Sequence, residues 1–160
     1  MLKQSNNIFL ISILIFISLT LISAFIIEYA LGHEPCKLCV YQRIPYIISI
    51  LLIFKILFIK TYEKIILFLL FIIFLISLIL AFYHFGIEQG FFNESVVCEG
   101  NGLEKNLNKE ELLKQLKQNT ISCKKVNFRI FGLSLAAINT IFSFILSVIF
   151  FKLFKNYEKN

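Results

Sequence analysis

The chain has 160 residues, 58% of them hydrophobic and 16% charged, with a formal net charge of +6. A soluble domain of this length is about half apolar and about a quarter charged, so an ordinary soluble globular protein is excluded. Apolar runs of about 20 residues recur instead, which predicts an all-α membrane protein folded as a four-transmembrane-helix bundle, one domain over residues 1–160, with no nucleic-acid partner.

The first run covers residues 8–31 and is interrupted only by Ser, Thr, Glu28 and Tyr29. It is longer than the core of about 7–15 apolar residues of a signal peptide and lacks a clear small-residue cleavage site, so it reads as a span. Glu28, one turn from its end, reads as an interfacial residue. The loop that follows, residues 32–43, is GHEPCKLCVYQR and brings Cys36 and Cys39 close to the membrane surface.

The second run covers residues 44–59, with Lys55 near enough to the end to snorkel. Pro45 suits the first turn of a helix, where its missing N–H costs nothing. Arg43 stands just before it. A cation there opposes the helix macrodipole, so Arg43 is not a cap. On spacing alone it is either a snorkelling interfacial side chain or a functional cation.

The third run covers residues 65–85, after a turn of sequence KTYEK. His84 and Glu88 are four residues apart at its outer end and share a face if the helix continues past Gly86. Two ligands are too few to hold a metal, and none is expected. The pair reads as a hydrogen-bonded couple near the interface, or as support for proton delivery.

The second loop covers residues 86–129. Asn108 and Glu111 resemble a capping box, and Leu112, Leu113 and Leu116 fall on one arc with Lys114 and Lys117 away from it. This predicts a short amphipathic helix, lying on the membrane or in solvent. The fourth run covers residues 130–151, and Asn139 within it is expected to hydrogen-bond another helix.

With four spans both termini lie on one side and both loops on the other. Lys3, Lys60, Lys64, Lys152, Lys155 and Lys159 mark the terminal side as cytoplasmic. The second loop carries Lys105, Lys109, Lys114, Lys117, Lys124, Lys125 and Arg129, so charge alone leaves the orientation open.

All four cysteines, Cys36, Cys39, Cys98 and Cys123, fall in the two loops and therefore on one face. Disulfides persist outside the cytoplasm, so disulfide cysteines would put both loops in the periplasm. Covalent haem needs a His after the second Cys of Cys-x-x-Cys, where Val40 stands. Zinc ribbons bring two close pairs, and Cys98 and Cys123 are far apart in sequence. Thiol–disulfide chemistry suits a Cys-x-x-Cys, whose thiols commonly have a lowered pKa. Taken alone, Cys98 and Cys123 read as a structural disulfide.

The stretch PCKLCVYQRIPY after a first span, a second cysteine pair between spans three and four, and four spans in all resemble the bacterial disulfide bond formation protein B (DsbB) family. YHFGIEQG (residues 83–90) and RIFGLSLAAIN (residues 129–139) are similar to further family segments, in the style of the branch common in α-proteobacteria. The resemblance covers essentially the whole chain. It implies a protein-disulfide:quinone oxidoreductase of the bacterial inner membrane, with cytoplasmic termini and periplasmic cysteine loops. Its partner would be a periplasmic DsbA-like thioredoxin-fold oxidase, and its cofactor a quinone, ubiquinone rather than menaquinone. By family position Cys98 and Cys123 would be the pair attacked by the partner, with Cys98 forming the mixed disulfide. Cys36 and Cys39 would reoxidise that pair, and Arg43, with His84 and Glu88, would serve the quinone. A monomer is expected. A paralogue dedicated to one partner and a non-catalytic scaffold with two structural disulfides are the alternatives.

Overall fold

A computed structural model describes residues 2–33, 35–59, 62–93, 123, 129–130 and 132–159. The order is α1 (Leu2–Tyr29), α2 (Lys37–Tyr41), α3 (Arg43–Ile59), α4 (Glu63–Glu88), β1 (Arg129–Ile130), β2 (Leu133–Ser134) and α5 (Leu135–Lys159). Four helical segments are long and apolar enough to cross a membrane: Asn7–Tyr29, Lys37–Ile59, Glu63–Glu88 and Leu135–Tyr157. The protein is an integral membrane four-helix bundle. Helices answer the requirement that every backbone group in lipid be bonded internally. Hydroxyls inside the helices obey the same rule: Thr20 donates to the Ile17 carbonyl and Ser49 to the Pro45 carbonyl, both at 2.7 Å.

The boundaries differ from the apolar runs wherever local chemistry overrides hydropathy. The first helix stops at Tyr29 rather than at residue 31. Gly32 takes φ +70, and the Ala30 and Leu31 N–H groups turn back onto the Ile26 carbonyl, a glycine-terminated helix end. The second span begins at Lys37, because the short α2 runs almost directly into α3 through Gln42, whose N–H bonds the Leu38 carbonyl at 3.0 Å. The third continues through Gly86 to Glu88. There Gly90, at φ +79, reverses the chain, and the Phe91 N–H returns to the Gly86 carbonyl at 2.8 Å.

The fourth helix starts at Leu135 instead of residue 130. The residues before it pair antiparallel, Arg129 with Ser134 and Ile130 with Leu133, with Gly132 at φ +82 between the strands. Ser134 ends this hairpin and its hydroxyl accepts the Ala137 N–H at 3.2 Å, which caps the helix. The amphipathic helix expected near residues 108–117 lies outside the described residues.

α5 packs chiefly on α4, α1 on α3, and α3 on α4. The main core joins Leu10, Ile13 and Ile17 with Tyr46, Ile53, Leu70, Phe74, Leu146 and Phe150. The Phe74 and Phe150 rings stack at 5.5 Å, and Tyr46 meets Phe74 edge-on at 5.7 Å. Large apolar side chains such as Leu19, Leu51, Phe58, Ile79 and Phe144 point outward, as lipid-facing surfaces do. Hydrocarbon solvates those side chains as well as a core does, so helix association leans on packing and on interhelical polar contacts. Ser77 and Ser143, both fully buried, supply one such contact at 3.0 Å between α4 and α5. At one end of the bundle a second buried cluster forms around Cys36, Leu38, Ile87 and Cys123, with Cys39 and Tyr83 against it.

Candidate active site

The second cluster contains three of the four cysteines. Cys36 is the N-cap of α2, and its sulfur accepts the Cys39 N–H at 3.3 Å. One turn of helix therefore folds the Cys-x-x-Cys pair together, with the two sulfurs 2.8 Å apart and both thiols free. Cys123 is disulfide-bonded and buried within the same cluster. The structure thus brings a dithiol and a disulfide cysteine into one apolar pocket. Cys98 lies outside the described residues.

His84 approaches from α4. Its Nε2 is 3.5 Å from the Cys36 sulfur and 3.7 Å from Glu88 Oε1. The helix does continue past Gly86, so the four-residue spacing places both side chains on one face. Glu88 is also hydrogen-bonded to Ser134 and feels Arg129, while its buried Oε2 has no partner. A free carboxylate oxygen beside the imidazole is a place where a proton can reside.

The Cys36 thiol is pulled down from 9.0 to about 4. The hydrogen bond from Cys39 is the largest cause; burial raises the value, and His84 lowers it further. A thiolate, not a thiol, is the nucleophile in disulfide exchange, so Cys36 is ready to attack at neutral pH.

Arg43, at the start of α3, turns toward α1. It pairs with Glu28, and its guanidinium stacks over Phe25 at 4.9 Å. Among the described residues the group that supports the Cys36 thiolate from outside the pair is therefore His84, while Arg43 is held on the α1 side.

Cys36, Cys39 and His84 also converge as three soft ligands within 4.8 Å. Two thiolates on one tetrahedral zinc stand about 3.8 Å apart, given Zn–S bonds of about 2.3 Å. The two sulfurs, 2.8 Å apart, stand closer than that.

Behind His84 lies a polar chain that hydropathy reading misses. Gln42, buried between α2 and α3, places its amide nitrogen 3.2 Å from His84 Nδ1 and 3.4 Å from the Leu80 carbonyl. Asn139 of α5 donates to Gln42 Oε1 at 2.8 Å, and Tyr46 of α3 donates to Asn139 Oδ1 at 2.5 Å. Asn139 thus makes the interhelical bond expected of it. Gln42 and Tyr46 carried one faint signal in the sequence, a polar and a phenolic side chain flanking the first turn of an apolar span.

The profile of the family described as "Disulfide bond formation protein DsbB" matches residues 6–153. An uncharacterized protein, RP370, of Rickettsia prowazekii (strain Madrid E) is 33% identical over 151 residues, covering 92% of this chain and 87% of the relative. No solved structure matches the chain.

Proposed function

The chain belongs to the DsbB family, and from that premise we propose that it is a quinone-dependent thiol:disulfide oxidoreductase that reoxidises a periplasmic DsbA-like dithiol oxidase. The observation that carries this reading is the free Cys36–Cys39 dithiol packed in one buried cluster with the disulfide-bonded Cys123.

In this reading the partner's thiolate attacks Cys98, and the partner leaves as a disulfide after losing two electrons and two protons. Burial makes Cys123 the poorer target for a soluble partner's thiolate, which leaves Cys98 as the point of attack. The reduced Cys98–Cys123 pair is then reoxidised by a Cys36–Cys39 disulfide, which becomes the dithiol seen in the structure. Each exchange breaks one S–S bond and forms another, so electrons and protons balance between the pairs. A membrane quinone, when bound, supplies the final acceptor for two electrons and two protons.

Arg43 fits a quinone carbonyl by its donor set. The side chain is 15% exposed, and Glu28 engages Nη1, leaving other N–H groups of the fork to donate. Glu88, whose buried Oε2 is unpartnered, would hold the proton released at the cysteine pair, and His84 Nε2 lies within reach of both the Cys36 sulfur and that carboxylate. The orientation proposed is periplasmic for both cysteine loops and cytoplasmic for the termini, in the bacterial inner membrane, with a monomer as the working unit and ubiquinone as the acceptor.

The test uses the purified full chain with a reduced thioredoxin-fold dithiol oxidase and either ubiquinone or menaquinone, following quinol absorbance. Quinone reduction that is lost in Cys36→Ser is the expected result. No reduction by the intact protein, or full activity of Cys36→Ser, would leave a scaffold with structural disulfides. In cells, a membrane-impermeant thiol reagent should label reduced Cys98 without lysis; labelling only after lysis would reverse the orientation.

A further inference from the structure

Gln42 faces His84 with a group whose direction can be fixed. The Leu80 carbonyl only accepts hydrogen bonds, so the side chain that meets it at 3.4 Å does so with its NH2. The same NH2 lies 3.2 Å from His84 Nδ1, which must therefore be the acceptor. A neutral imidazole carries one proton, so that proton sits on Nε2, the nitrogen 3.5 Å from the Cys36 sulfur.

The other end of Gln42 is satisfied in the same orientation. Its Oε1 receives the Asn139 amide at 2.8 Å, and Asn139 Oδ1 receives the Tyr46 hydroxyl at 2.5 Å. Tyr46 in turn lies 3.5 Å from the Ser143 hydroxyl, which lies 3.0 Å from that of Ser77. Every link can donate in one direction, toward the cysteine, and such a chain polarises each member in the same sense. Two of its links are primary amides, which do not pass protons on. The chain orients the imidazole and does not feed it.

We propose that Gln42, held by Asn139 and Tyr46, is a positioning residue that fixes His84 as the Nε2–H tautomer and makes it a standing hydrogen-bond donor to the Cys36 sulfur. The proposal rests on Cys36 and Cys39 being the redox pair. A second proton on Nδ1 would set N–H against N–H unless Gln42 and Asn139 both turned over. The imidazole therefore supports a thiolate through a hydrogen bond donated from Nε2. Among the described residues the other titratable groups around it are Cys39, whose sulfur lies within 4.8 Å, Tyr83 against the same cluster, and Glu88 at 3.7 Å with Arg129 acting on that carboxylate.

The test reads the tautomer directly. His33 and His84 are the two histidines, so His33→Gln leaves one imidazole. Nitrogen-15 NMR of that full chain, reduced and in nanodiscs, is expected to report a bare Nδ1 and a protonated Nε2. A proton resident on Nδ1 in this protein overturns the proposal without any further variant. Gln42→Ala is expected to mix the tautomers and to raise the midpoint for Cys36 alkylation, read by mass on its peptide, by about one pH unit. Asn139→Ala should move both readouts the same way by less. Folded Gln42→Ala with an unchanged tautomer contradicts the proposal. Absence of quinone reduction by the parent protein, with its Nε2–H tautomer present, would count against the redox premise instead.

Discussion

The sulfur of Cys36 lies 3.5 Å from Nε2 of His84, a contact that joins the first loop to the outer end of α4. It gives the Cys-x-x-Cys pair a donor that neither cysteine supplies. The Cys36 thiol, lowered to about 4 by Cys39 first and His84 after it, is then a thiolate through the whole neutral range. In the reduced protein, alkylation of Cys36 is expected to be flat from about pH 6 to pH 8 and to fall only as pH drops toward 4, whereas an unperturbed thiol would still be gaining reactivity near pH 8.5. Mass spectrometry of the alkylated peptide across pH checks this. A rate rising tenfold per unit through neutrality would show that the pair does not depress the thiol.

The same thiolate sets the redox poise. A stabilised thiolate favours the reduced pair, so the Cys36–Cys39 disulfide is the more oxidising, by about 30 mV for each pH unit of depression. The effect is full above the ordinary thiol value, shrinks as pH falls below it, and is gone once pH passes below the lowered one. His84→Ala should therefore shift the pair to a more negative potential, by a few tens of millivolts, in equilibration with a glutathione buffer. A potential unchanged by that substitution would remove His84 from the thiolate's support.

Arg43 is held from the α1 side by Glu28 and Phe25. Arg43→Ala is accordingly expected to raise the KM for quinone by about tenfold, the worth of one charged hydrogen bond, while thiol exchange between the cysteine pairs continues. Glu28→Gln keeps the shape but releases the guanidinium and should alter quinone KM without touching Cys36 alkylation. Stopped-flow exchange and steady-state quinone reduction, measured side by side, separate the two. Equal loss of both in Arg43→Ala would contradict the assignment.

Most of the bundle was legible because lipid imposes a simple rule: long apolar segments must be helices. What hydropathy could not place were the ends. The Lys37–Ile59 segment starts well before the apolar run, because Gln42 is polar by type yet buried, its amide satisfied by α4 and α5. Residues 129–134 look like the beginning of a helix but pair across Gly132. The cysteines and Arg43 stood out by type and spacing. Gln42, Tyr46 and Ser134 did not, since their partners, His84, Asn139 and Glu88, lie on other elements and single-sequence spacing carries no such contact.

Gly86 shows how tightly the outer end of α4 is built. A Cβ placed there would come within 2.2 Å of the Phe92 ring, which lies over the glycine after the chain reverses at Gly90. Phe92 also packs on Tyr83 at 5.6 Å, and Tyr83 leans on the cysteine cluster. Gly86→Ala must push the ring away, and overpacking of this kind costs about 1–3 kcal/mol. The expected result is a lower thermal midpoint, with Phe92→Ala in the same chain restoring part of it because the obstructing ring is gone. Non-additivity of the two substitutions is the diagnostic, since residues in contact couple and distant ones do not. Strictly additive losses would mean that Phe92 does not sit on Gly86. Because Ile87 is the next residue and is fully buried against Cys36 and Cys123, the displaced ring should also slow exchange between the two cysteine pairs. That rate, measured under conditions where the variant is fully folded, tests whether the reversal after α4 holds the sulfurs together or only closes the helix.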